Sequence, residues 1–490
     1  MTSPEIALPV EARKHHGSTV MLIRKSVLLS GFAWLIWLCV AVAFMMDSAS
    51  ALVPAAAVVA ELVSAVLIFR EPLLGLYLLP LPLLLGPVVS LPISGVGNVT
   101  AGDLYAVLLV FRTLVLRWDR LNFSLPRYLW VPVLLLVCST AFSADVGASL
   151  AGLSKILEFA LLVAASVSMA RRPRDWRNMF TAWVASTTLG SVMVLWFLYH
   201  GQPLFLLNWA GGLDEGRVVD IDSPGELFRP AFFYANFFIP MGLSLVYALL
   251  VILRKLERNP LRNILFGLSI PINAIALVLN NTRSMLFPVI AVAALALGWY
   301  TVRAVSKAGT KLLPAIVTLI VVGGGVYVVS DLLITEQQVV ALLDRSADSS
   351  PVDARLSVWT SVLGKLGDTP ARFFLVGWGP QATARQGGAG MQRLLTGSEG
   401  NAEGAFDSTI VGFLVEYGMI FTLLVFSYIA IWHLRVWSRW RQTGDTTTLI
   451  VLSMGIVLVL THLLQQFGVS PPALMAMQIF SMSPRSDMAV

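Results

Sequence analysis

Three arginines in this chain stand in contexts suited to holding an anion. Arg229 opens the stretch RPAFFYAN (229–236), Arg283 sits in NNTRS between two apolar runs, and Arg355 lies in DARLSVW. A guanidinium keeps its charge at any physiological pH and presents a planar fork of donors that matches phosphate oxygens. Three of them converging at a membrane face would clamp a diphosphate, and the headgroup of a polyprenyl pyrophosphate lies at that depth. Arg229 and Arg283 also fit the plainer role of headgroup anchors at span ends. Asp407, just before an apolar run, can act as a general base toward an acceptor hydroxyl or cap the following helix, and the two roles are compatible. Glu403 is the alternative carboxylate.

Other chemistries lack their residues. The chain has no Walker loop, no His or Cys cluster with zinc spacing, no DxD run and no G-x-S-x-G elbow. His15, His16, His200, His433 and His462 are scattered, and Cys39 and Cys138 fall inside apolar segments as small hydrophobes. The expected chemistry therefore uses neither metal nor cofactor.

The elements that must position these residues are membrane helices. Of 490 residues, 57% are hydrophobic and 13% charged, and the mean hydropathy is +0.78; a soluble globule carries about a quarter charged residues. The net charge of +6 comes from Lys and Arg in small groups beside apolar runs, the mark of membrane topology and not of a nucleic-acid stripe. Apolar runs predict an all-α, polytopic fold with spans at 27–46, 51–69, 73–93, 103–117, 128–143, 150–169, 178–199, 231–253, 264–280, 285–302, 312–333, 408–434 and 448–467. A short piece, 472–482, makes the total thirteen or fourteen.

With the N-terminus inside, Arg70, Arg117, Arg120, Arg127, Arg171 to Arg177, Arg254 to Arg262, Arg303 to Lys311 and Arg435 to Arg441 all fall in the cytoplasm. The expected organisation is a cytoplasmic segment 1–26, a helical region 27–333 with an external loop at 200–230, a large external loop 334–406, C-terminal helices 407–483 and a tail 484–490.

Inside the large loop, SPVDARLSVWTSVLGKLGD (350–368) predicts an amphipathic helix. Ser350 and Asp353 form a capping pattern with Pro351 in the first turn, and Leu356, Trp359, Leu363 and Leu366 share a stripe. GWGP (377–380) reads as a tight turn that exploits glycine's conformational freedom. Glu416 must face protein or water, and the expectation for it is a structural hydrogen bond. Glu61 lacks a charge partner within its own span.

Four stretches in order resemble the bacterial O-antigen ligase and Wzy-type polysaccharide polymerase superfamily: RPAFFYAN (229–236), NTRS (281–284), RLSVWTSVLGKLGDTPARFFLVGWGP (355–380) and DSTIVGFLVEYGMIF (407–421). The resemblance covers roughly 225–435, and the N-terminal half is similar only in hydropathy. It implies a GT-C-like inner-membrane glycosyltransferase, active on the periplasmic face, that takes undecaprenyl-pyrophosphate-linked oligosaccharide as donor and a growing glycan as acceptor. Arg283, Arg355 and Asp407 are its implied catalytic residues, and Arg229, Asn236, Glu403 and Trp359 its implied substrate-binding residues. Membrane lipids, a chain-length regulator and a flippase are the implied partners. Where the family often carries a His-Asn pair this chain has Asp407-Ser408, which favours polymerisation over ligation to lipid A core. A flippase or transporter of lipid-linked oligosaccharides is the rival class; it calls for polar residues midway through several spans, whereas charge and loop length here gather on one face.

Overall fold

The structure, a computed structural model, describes residues 10–46, 52–85, 90–93, 97–117, 130–143, 146–170, 172–200, 206–208, 212–214, 234–254, 257–279, 285, 287–295, 359–360, 363–364, 371–380 and 409–464. The protein is built mainly of helices. In chain order these are α1 (Val10–Met46), α2 (Leu52–Arg70), α3 (Pro72–Leu78), α4 (Pro80–Leu85), α5 (Ala101–Arg117), α6 (Trp130–Ala141), α7 (Val146–Met169), α8 (Pro173–His200), α9 (Tyr234–Leu253), α10 (Pro260–Leu279), α11 (Ala371–Val376), α12 (Thr409–Thr443) and α13 (Thr446–Leu464). Among the described residues, six helical stretches are long and apolar enough to cross a membrane: Leu28–Met46, Leu52–Arg70, Gly152–Met169, Arg174–Trp196, Pro260–Val278 and Ile410–Thr443. Pro72–Leu85, Phe238–Leu253 and Thr447–Thr461 are shorter apolar helices. The expected span 312–333 and the piece 472–482 lie outside the described residues.

The expected span 73–93 is not one continuous helix. Its helical part is interrupted at Leu79, and residues 90–93 form a strand. Pro80 and Pro82 have no N–H to return to the carbonyls of Leu76 and Leu78, so the ladder cannot run through them. Every residue from Pro80 to Leu85 is buried, the condition under which irregular backbone is tolerated at membrane depth.

The all-helical expectation also omits a small sheet of order β2-β1-β3-β4. Strands β1 (Ser90–Ile93) and β2 (Gly97–Thr100) pair antiparallel, as do β3 (Leu206–Asn208) and β4 (Gly212–Asp214). Ser90 pairs with Asn208 in parallel. That ladder ends before Pro92, which cannot donate to it. The sheet joins strands of the α4–α5 connection to strands of the α8–α9 connection, so both pairs lie at one end of the bundle.

Local signals set the helix starts. Thr100 and Asp103 form a reciprocal box at the head of α5, with Thr100 N donating to Asp103 Oδ2 at 2.8 Å and Asp103 N to Thr100 Oγ1 at 3.2 Å. Asp445 accepts from Thr447 N and Thr448 N ahead of α13. Aromatic contacts fix the register of three helices: Phe180 of α8 stacks on Tyr247 of α9 at 5.2 Å, and Tyr247 meets Phe266 of α10 edge-on at 5.9 Å.

Two ends of the bundle are distinct. Thr113 near the end of α5 bonds Met169 at the end of α7 at 3.8 Å, so α5 and α7 run parallel and α7 starts at the sheet end. The opposite end is basic. There Arg112 Nε donates to the Phe69 carbonyl at 2.9 Å, and Arg262 bonds Asn178 at 2.7 Å and Glu257 at 3.3 Å. Asn178 in turn donates to Tyr77, whose hydroxyl reaches Asp175 at 3.3 Å, tying α3, α8 and the α9–α10 connection together.

Candidate functional site

Helix α12 breaks early in its course. At Gly418 the backbone takes φ 79° and ψ 172°, outside helical geometry, so Thr409–Tyr417 and the remainder are two helical pieces meeting at a kink. A break of this kind frees the carbonyls of the preceding turn from their usual donors. A second segment fills the gap. After α11 comes the turn Gly377-Trp378-Gly379-Pro380, with φ +84° at Gly377 and +107° at Gly379. Trp378 N donates to the Val415 carbonyl and Gly379 N to the Glu416 carbonyl, each at 2.9 Å.

The two backbones touch. A Cβ placed on Gly377 would stand within 3 Å of the Glu416 carbonyl and Gly418 N, and one on Gly418 within 3 Å of the Leu375 carbonyl and Gly377 N. Only glycine combines positive φ with this approach. The GWGP stretch is thus the tight turn its glycines suggest, and its partner is the EYG stretch of α12.

Helix α6 and the start of α7 close the third side. Ser139 Oγ donates to the Glu416 carbonyl at 2.9 Å, and Ser149 Oγ donates to Ser143 Oγ at 2.6 Å. Gly379 packs on both Ser143 and Ser149 so tightly that a Cβ would collide with their hydroxyls. Glu416 is 7% exposed, with its carboxyl in hydrogen-bonding reach of Tyr417. Phe413 and Phe421 flank Tyr417 with ring centroids 5.2 Å and 4.8 Å away. We call this junction the clasp. Because it sits where α6 ends and α7 begins, it lies at the sheet end of the bundle.

The chain matches no protein-family model, and no curated protein matches it.

Of the residues expected from sequence to do chemistry, Arg229, Arg283, Arg355, Glu403 and Asp407 lie outside the described residues. Asn236 is in the first turn of α9, with its side chain outside them. Trp359 is half-buried and helical, and its indole N–H is buried with no hydrogen-bond partner among the described residues. Leu363, on the same expected stripe, is also helical and is 48% exposed.

Three residues of the site escaped the sequence reading: Ser139, Ser143 and Ser149. Their signal is the run STAFSADVGAS (139–149) between two apolar helices, rich in hydroxyls where a plain turn would suffice.

Chemically the clasp sets serine hydroxyls and a buried carboxyl at one end of a membrane bundle, its turn amides being spent on the Val415 and Glu416 carbonyls.

Proposed function

We propose that the protein is an inner-membrane glycosyltransferase that polymerises oligosaccharide repeat units carried on undecaprenyl pyrophosphate, working at the periplasmic face. The observation that carries this reading is the clasp. Two of the four stretches through which the chain resembles polysaccharide polymerases, GWGP and EYG, are bonded to each other through Trp378 and Gly379. In sequence, the segment 381–408 that carries Glu403 and Asp407 runs from GWGP to the start of α12. The sheet end is taken as periplasmic because the other end carries the basic residues of α8, α10 and α12.

In this mechanism an acceptor hydroxyl attacks the anomeric carbon of the donor, the new C–O bond forms with inversion, and the bond to pyrophosphate breaks with its electron pair leaving on phosphate. Asp407 takes the hydroxyl proton. Arg283 and Arg355 stabilise the charge developing on the leaving group, and Arg229 and Asn236 hold the donor. Trp359 and Glu403 contact the glycan. Pyrophosphate is already a good leaving group, so fixed positive charge is the larger contribution and no metal is required. A chain-length regulator and a flippase are the partners this activity calls for.

The test is synthesis by purified protein in vesicles supplied with lipid-linked repeat units, without nucleotide or ion gradient. Arg283→Ala and Arg355→Ala should each lower the rate by about 10² to 10³-fold. Polymer of normal amount and length from both variants would sink the proposal.

A further inference from the structure

Helix α2 carries an acid where a membrane bundle rarely keeps one. Glu61 lies nine residues from either end of Leu52–Arg70, about 14 Å along the axis from each and so near the middle of a hydrocarbon layer about 30 Å thick. It is 9% exposed, and neither carboxyl oxygen has a hydrogen-bond partner among the described residues. On the same face Ala57, Ala60, Leu67 and Ile68 are buried with it.

The polar groups on the elements packed against α2 are committed elsewhere. Ser64, one turn along, accepts from Trp37 Nε1 of α1 at 3.0 Å. From α5, the Tyr105 hydroxyl lies within electrostatic reach of Glu61 but donates to the Gly75 carbonyl at 2.7 Å. Asp103 caps its own helix, and Arg112 donates to the Phe69 carbonyl. From α3, Tyr77 bonds Asp175, and Glu71 stands at the N-cap. Within Leu28–Met46 of α1 the titratable group is Cys39, which is exposed. Arg70 is at the far end of α2 and exposed.

An ionised carboxylate buried without a counter-charge or donor costs several kcal/mol. A hard metal cation would ask for six or more oxygens, and among the described residues no group of three or more His, Cys, Asp or Glu converges. One cation suits a single carboxyl among apolar neighbours. We propose that Glu61 is a proton-binding site inside the membrane bundle, distinct from the clasp. Taking up a proton removes the buried charge, and releasing it creates a charge that α2, α3 and α5 must rearrange to solvate, so the packing of these helices becomes sensitive to pH. This proposal does not rest on glycosyl transfer and can stand or fall separately.

Infrared difference spectra of the full chain in phospholipid vesicles decide it. Wild type should show the carbonyl stretch of a protonated acid, resolved above the amide band, that fades as pH rises and is missing from Glu61→Gln. Spectra identical for the two proteins in that region at every pH overturn the proposal. Should Glu61→Gln fail to fold, wild type treated with dicyclohexylcarbodiimide gives the answer: the acid O–H adds across a C=N bond, and the O-acylisourea rearranges to a stable N-acylurea. Mass spectrometry should find that adduct on Glu61, with a rate falling about tenfold per pH unit on the alkaline side of the midpoint. No adduct on Glu61, or a rate flat in pH, would refute it.

Discussion

Replacing Gly418 by alanine tests whether the clasp is held by backbone contact. At φ 79° and ψ 172° the residue occupies a region open essentially to glycine, where a side chain costs about 1–3 kcal/mol. The new Cβ would also stand within 3 Å of the Leu375 carbonyl and Gly377 N. Both are backbone atoms and cannot swing aside, so α11 and its turn must retreat. Retreat lengthens the bonds from Trp378 N to Val415 and from Gly379 N to Glu416, each worth about 0.5–1.5 kcal/mol. Together these give a loss of about 2–6 kcal/mol for Gly418→Ala.

Gly444 supplies the control. It also has positive φ, +63°, at the end of α12, but nothing lies within 4 Å of the position its Cβ would take. Gly444→Ala therefore suffers only the conformational cost, about 1 kcal/mol. Reversible unfolding of both variants in mixed micelles, followed by helical circular dichroism, measures the difference. If the two lose the same stability, contact between the turn and the kink contributes nothing and the clasp is an accident of proximity.

Ser139→Ala removes a buried donor to the Glu416 carbonyl, which keeps its bond from Gly379 N; a loss of about 1 kcal/mol is expected in the same unfolding assay. Glu257, between α9 and α10, is partly desolvated, which raises its pKa, but the Asn259 amide, the Arg262 charge and the Arg258 amide outweigh this and hold it below 4.5. A carboxyl with a depressed folded-state pKa adds stability that is fully present above its unfolded value and lost as pH falls through the folded one. Wild type should accordingly exceed Glu257→Gln in stability at neutral pH, and the two unfolding curves should converge in acid below pH 4.5.

Much of the helical scaffold was legible because hydropathy reports directly on the apolar runs that become α1, α2, α5, α7, α8 and α10. Where it failed, other physics decided. Hydropathy scores Pro80 and Pro82 as part of an apolar run, yet their missing N–H groups break the third span into α3 and α4. It ends the twelfth span at 434, while α12 continues to Thr443; Arg435, Arg439 and Arg441 lie along that extension, where long basic side chains can reach water while the helix goes on. The clasp was half legible. The GWGP turn could be read locally, but its partner lies some forty residues on, inside a stretch that reads as an uninterrupted helix.

A sharper signal was nevertheless present in EYG. An acid followed two residues later by glycine inside an apolar helix carries two separate costs, a buried carboxyl and a helix-weakening residue. Two costs placed side by side imply a shared use, and here Gly418 opens the ladder, the Glu416 main-chain carbonyl receives Gly379 N and Ser139 Oγ, and the Glu416 carboxyl stands in hydrogen-bonding reach of Tyr417. The Glu61 carboxyl has no such hydrogen bond among the described residues, and that contrast is why one acid belongs to the architecture and the other is assigned a proton.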